Sequence, residues 1–274
     1  MMKICWKTWL LLCAAAAVVC AGARPAFAIG ELSVGINMGA TYDPNNLEGD
    51  IAEYNMAMEQ YRNANDGTTA KQMSVPYAPV FGFNFRYQFN FFLIRMGCHY
   101  TSPVQSIKGS ITPPGGVKNT IKIKTYQNSY PVTLGLLVPL NKKTNFFIGA
   151  GPTLHQASVT ITQSEPVQGA FSFQNYGLSK DRRDSYTATF VGYHIMLGAE
   201  VPVHERFTMS VEWIHQEGRS HTIKNDGLDS TGAVITTPKH TISVQGDFLI
   251  FGLNYYISLY SDNPPLFSAA GGIK

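Results

Sequence analysis

The chain is read most directly from Val191-Gly192-Tyr193-His194-Ile195-Met196-Leu197-Gly198-Ala199-Glu200-Val201-Pro202-Val203-His204-Glu205-Arg206-Phe207-Thr208-Met209-Ser210-Val211-Glu212-Trp213. Two runs in it alternate with a period of two. Val191, Tyr193, Ile195, Leu197, Ala199, Val201 and Val203 share one face, and Gly192, His194, Gly198 and Glu200 share the other. After His204-Glu205-Arg206 the same alternation restarts, with Phe207, Met209, Val211 and Trp213 set against Thr208, Ser210 and Glu212. Period two is the signature of a strand, because successive side chains leave a pleated backbone on opposite sides. The pair therefore reads as a hairpin with one apolar and one polar face.

Six further segments behave alike. They lie at about 32–42, 77–88, 92–100, 129–140, 148–155 and 249–259. Short turns are read at Phe89-Asn90, at about Asn141 to Asn145 and at His204-Glu205-Arg206. The intervening connections are long, about 43–74, 103–120, 158–185 and 218–238, well beyond usual hairpin loops. These turns place Gln88 opposite Phe91, Asn84 opposite Arg95, Leu140 opposite Phe146, Val203 opposite Phe207 and Gly198 opposite Glu212. In each pair the residues share a face, as cross-strand partners must.

A soluble sandwich would bury the apolar face and wet the polar one, so alternation alone leaves both architectures open. Three features favour a membrane barrel. The strands exceed the usual five or six residues. The polar face is rich in Gly, which suits a crowded lumen. Tyr87, Phe92, Phe207 and Tyr255 gather at the short-turn end, where an interfacial aromatic girdle belongs. The expected fold is all-β: an eight-stranded antiparallel up-and-down transmembrane β-barrel. Short turns face the periplasm and long loops face outward.

The first 28 of the 274 residues read as a signal peptide. Lys3 and Lys7 precede the apolar run Trp9 to Gly22, and Ala26-Phe27-Ala28 forms a small-x-small cleavage site. A retained anchor helix and lipidation at Cys20 are the alternatives. The barrel is expected over 29–260 and a periplasmic tail over 261–274. Removing Lys3, Lys7 and Arg24 takes the 21 basic residues to 18, equal to the 18 acidic ones, so no nucleic-acid footprint remains. Cys98 alone stays in the mature part, which excludes an internal disulfide and a cysteine metal cluster.

Inward-facing charges are the candidate site. Arg86, Arg95, Glu200 and Glu212, with His194, are read as a lumen charge network, because unpaired charge in a narrow lumen is costly. It plugs the lumen or, if its pairs exchange, gates it. Phe91, Phe147, Phe190, Met196, Ile214, Phe248 and Ile250 are read as inward apolar residues that either fill space or line a path. The histidine spacing gives no metal-ligand motif, and no cofactor is expected. None of the seven His is followed two positions later by Ser, and no G-x-S-x-G, Walker or zincin motif occurs, so no enzymatic activity is expected. In the first long connection Asp50 and Glu53 resemble a capping pair. Ile51, Tyr54, Met58 and Tyr61 then recur at helical spacing until Asn65-Asp66-Gly67, so a short amphipathic helix over the barrel mouth is expected.

The run Phe146-Phe147-Ile148-Gly149-Ala150-Gly151-Pro152 resembles the repeated strand motif of small OmpW- and OmpA-like or opacity-type barrels. Ile250-Phe251-Gly252-Leu253-Asn254-Tyr255-Tyr256-Ile257 is similar to the assembly signal of barrel proteins. The tail with Pro264-Pro265 and Gly271-Gly272 departs from families that end on an aromatic residue. The resemblance implies a bacterial outer-membrane location and outer-membrane lipid as surroundings. It also implies recognition by the barrel assembly machinery through the last strand. The implied function is a monomeric narrow conduit for small apolar or amphipathic solutes; the alternative is a non-conducting barrel that displays its loops to host molecules or anchors the envelope.

Overall fold

The computed structural model describes residues 31–75, 77–89, 91–101, 106–141, 144–164, 183–220, 224–225 and 242–257. The proposed signal peptide and tail lie outside them. Eight long strands carry the fold among the described residues: β1 (Glu31–Tyr42), β3 (Tyr77–Phe89), β4 (Phe92–Thr101), β6 (Asn119–Asn141), β7 (Thr144–Gln163), β8 (Arg183–His204), β9 (Phe207–Ser220) and β11 (Ile242–Ile257). Three short strands join them: β2 (Thr69–Lys71), β5 (Ile107–Thr112) and β10 (Lys224–Asn225). One helix, α1 (Glu48–Ala64), follows β1.

Pairing closes the sheet. From β1 it runs antiparallel through β3, β4, β6, β7, β8 and β9 to β11, which pairs back with β1. Closure leaves the long strands no free edge, so the backbone is satisfied without water, as a bilayer demands. The wall is inside-out relative to a soluble protein. Ile36, Phe81, Leu134, Val191 and Met209 are exposed on the outer face, while Arg86, Arg95, Glu200 and Glu212 are buried within the ring. No helix among the described residues is long and apolar enough to cross a membrane.

Two of the short turns differ from the sequence reading in register but not in face. Phe89 pairs Phe92, so the first turn falls after Phe89 rather than at it; Gln88 lies opposite Leu93 and Arg86, not Asn84, opposite Arg95. Between β6 and β7, Val138 rather than Leu140 lies opposite Phe146, with the register shifted between Pro139 and Asn141. Between β8 and β9, His204 rather than Val203 lies opposite Phe207, again after a register shift; Gly198 does lie opposite Glu212. Pro139 and Pro202 flank these shifts, where a residue without an N–H is tolerated.

The upper end differs more. Segments read as loops over 103–120 and 158–185 include β5, the start of β6, the end of β7 and the start of β8. The inward side chains of this end, Ile107, Ile111, Ile121, Ile123, Val159, Ile161 and Tyr186, pack around α1 through Ile51, Tyr54, Ala57 and Met58. The helix thus forms where its spacing predicts it, but its start is fixed otherwise. Asp43, not Asp50, accepts the amides of Leu47 (2.8 Å) and Glu48 (2.7 Å). Asp43 adopts φ 42°, a left-handed conformation that an Asp tolerates better than most residues. Burial raises its carboxyl above the usual carboxylate range, against the two amide hydrogen bonds that lower it. Asn55 ties the helix to the following segment through both the carbonyl (2.9 Å) and the amide (2.8 Å) of Met73. Gly109 permits the close approach, because a Cβ there would lie 2.6 Å from Met73 Cγ.

Candidate functional site: a buried charge network in the lumen

Four strands bring four ionic side chains to one place near the short-turn end. Arg86 stands on β3, Arg95 on β4, Glu200 on β8 and Glu212 on β9. Arg86 Nη1 donates to Glu200 Oε2 at 2.6 Å, and Arg86 Nη2 donates to Glu212 Oε1. Arg95 Nη2 donates to Glu212 Oε2 at 2.6 Å. All four side chains are at most 1% exposed. Glu212 spans the two arginines, which explains how Arg86 and Arg95 stand directly opposite each other without net repulsion.

Neutral groups complete the network. Tyr256 on β11 donates its hydroxyl to Glu200 Oε1 at 2.7 Å and accepts from Gln88 Nε2 at 2.9 Å. Ser210 Oγ donates to Glu212 Oε1 at 3.1 Å. The Arg86 guanidinium stacks 4.9 Å from the centre of the Phe147 ring, a cation–π geometry. Phe147 in turn lies against Gly198, where a Cβ would collide with the ring Cζ. Sequence reasoning missed Tyr256 as a participant. Its signal was parity with inward Asn254, two residues earlier on the same strand.

His194 does not join the ion pairs. It sits one layer higher, between Thr133 Oγ1 and Thr153 Oγ1, each 2.8 Å from a ring nitrogen. His155 Nδ1 lies 3.0 Å from Ser129 Oγ, and its ring packs against Phe190 at 5.3 Å. His99 is fully buried, and neither ring nitrogen has a hydrogen-bond partner among the described residues. These histidines, with Gln127 and Gln216, form a polar layer above the charges.

The apolar candidates divide. Phe147, Met196, Ile214, Phe248 and Ile250 are fully buried and cluster with Val80, Leu93 and Leu137 around the charges. Phe190 belongs instead to the upper cluster beneath α1. Phe91 is not in the lumen: the turn shift puts it at the tip, 63% exposed. The inward apolar residues are therefore two clusters separated by the histidine layer rather than one continuous lining.

A closed antiparallel ring, apolar outside and ion-paired within, defines an integral barrel of the outer-membrane type. The chain belongs to the outer membrane protein beta-barrel domain family, whose model matches residues 11–255. Among solved structures it is similar to Neisserial surface protein A, at 11% identity and TM-score 0.42, covering 82% of this chain and 96% of that one. It is also similar to Ail, the attachment invasion locus protein of Yersinia pestis, at 12% identity and TM-score 0.39, covering 83% and 99%. OprG from Pseudomonas aeruginosa matches at 15% identity and TM-score 0.39, covering 83% and 98%. No curated protein sequence matches the chain. The family places the protein in a bacterial outer membrane.

Proposed function

We propose that this barrel is non-conducting at rest and works through its outward surface. One observation carries the reading: Arg86, Arg95, Glu200 and Glu212 saturate one another inside a packed apolar ring, with side chains at most 1% exposed. An eight-stranded barrel has an interior about wide enough for side chains alone, so such a network leaves no aqueous path. The helix cluster above is a second seal. Glu200 and Glu212 are both held by arginine, which supports a non-enzymatic role.

The conduit reading keeps one specific support. Between the seals lie buried polar atoms without side-chain partners, on His99 and Gln216. Buried polar groups are normally satisfied, commonly by water. A solute passing this layer would have to part the charge network. Planar-bilayer recording separates the readings. The wild-type chain should show no unitary current, and the Arg95→Ala/Glu212→Ala variant should leak. Steady current or apolar-solute uptake by wild-type proteoliposomes would make it a conduit instead.

Topology and processing belong to the same reading. Tags near Asn65 and Thr112 should be reachable on intact cells and a tag at Lys142 should not. The purified mature protein should begin at Ile29, the cleaved signal peptide having ended at Ala28.

A further inference from the structure

The extended upper wall carries a basic face that no carboxylate among the described residues compensates. On β5 and β6, Ile107, Ile121 and Ile123 point inward and are buried. By alternation Lys108, Lys122 and Lys124 point outward, and Lys108 and Lys124 are exposed. Lys108 lies directly opposite Lys122. Lys71 on β2 is also exposed and lies opposite Ser110, which places it diagonal to Lys108. Four ammonium groups therefore share one face across three adjacent strands. Like charges directly opposite each other destabilise a sheet. Among the described residues no carboxylate is in ion-pair contact with any of them. Their neighbours on that face are hydroxyls, with Thr120 opposite Ser110, Thr162 opposite Lys122 and Thr160 opposite Lys124.

The far wall is built differently. On β9 and β11 the outward carboxylates are matched: Tyr193 donates to Glu217, and His215 lies 2.9 Å from Asp247. A shortage of acid on one wall is thus a local feature, not a property of the whole exterior.

Height identifies the occupant. Tyr126 is the last outward aromatic on β6 and is 42% exposed. Lys124 is the next outward position, about 7 Å further along the strand. Lysine stems can lie along the apolar wall while the ammonium reaches polar surroundings. The cluster begins where the lipid-facing band ends.

We propose that Lys71, Lys108, Lys122 and Lys124 bind the phosphate groups of outer-leaflet glycolipid, with the interleaved Ser110, Thr120, Thr160 and Thr162 as hydroxyl donors. The proposal rests on the outward orientation above. The anion removes the like-charge cost that the bare sheet carries and fixes the barrel's depth on this side.

The test uses the full mature chain folded in detergent, with purified lipopolysaccharide and its dephosphorylated form as probes. Wild type should prefer the phosphorylated form. Replacing the four lysines together by threonine should weaken that binding about tenfold or more, since each basic side chain near an anionic surface adds to the attraction. The four-arginine variant should retain it. Heat-dependent gel mobility establishes that each variant is a folded barrel. Unchanged affinity in the threonine variant overturns the proposal. So does equal binding of dephosphorylated lipopolysaccharide, or a preference for a soluble sulfated polysaccharide over the lipid. A tag at Gly115 that stays hidden on intact cells overturns the orientation instead, and is distinguishable because affinity is read on purified protein.

Discussion

The lower and upper halves of the lumen solve the same filling problem with opposite chemistry. Near the short turns, four charged side chains are buried among Phe147, Met196, Ile214 and Ile250. Above the histidine layer, α1 is buried against isoleucine, valine and tyrosine, as in the core of a water-soluble domain. The lower half draws specificity from geometry, because every carboxylate oxygen of Glu200 and Glu212 has a named donor. The upper half draws stability from apolar area. The barrel wall has already met its backbone needs, so the two interiors are free to differ.

If that contrast is right, damage below should spread and damage above should stay local. The largest effect is expected from Glu212→Ala, which strands Arg95 in a dry site and leaves Arg86 with Glu200 alone. Removing one partner of a buried ion pair costs about 3–5 kcal/mol. Denaturant unfolding of the detergent-folded barrel should lose that much, and a loss well under 1 kcal/mol would mean that water reaches the site. Arg95→Ala should cost less than Glu212→Ala, since Glu212 keeps Arg86. The Arg95→Ala/Glu212→Ala pair should cost less than the sum of the singles. Additive losses would show that the two side chains act independently.

Met58→Ala removes a fully buried side chain from the helix side of the upper cluster. The expected cost is about 2–5 kcal/mol, typical of such truncations. It should fall on helix docking alone: protease should cut α1 faster while heat-dependent gel mobility stays as in wild type. If the whole barrel loses its mobility shift, the two halves are one cooperative unit and the contrast fails. The smallest effect is expected from Asp43→Ala, which removes the acceptor for the Leu47 and Glu48 amides. A lost helix cap costs about 1 kcal/mol, which protease protection of α1 would register. Asp50→Ala should cost less protection than Asp43→Ala, and the reverse ranking would restore the cap that the sequence pattern favours.

Sequence alone determined which residues face in and which face out, because a pleated strand converts parity into sidedness. That is why Arg86, Arg95, Glu200 and Glu212 could be placed in one lumen before any pairing was known. It also determined the helix over the mouth, from the spacing of Ile51, Tyr54 and Met58. Sequence did not determine how the strands slide. A slip of two residues keeps every face, so alternation cannot tell Arg86 opposite Arg95 from Asn84 opposite Arg95. Only the tertiary structure decided that, and with it the exposure of Phe91 at the turn tip and the separation of His194 from the ion pairs. It likewise decided that 119–128 and 158–163 continue as strand. The sequence reading takes 119–120 and 158–163 as loop and assigns 121–128 to no strand; they become wall because their inward isoleucines and valines have α1 to cover.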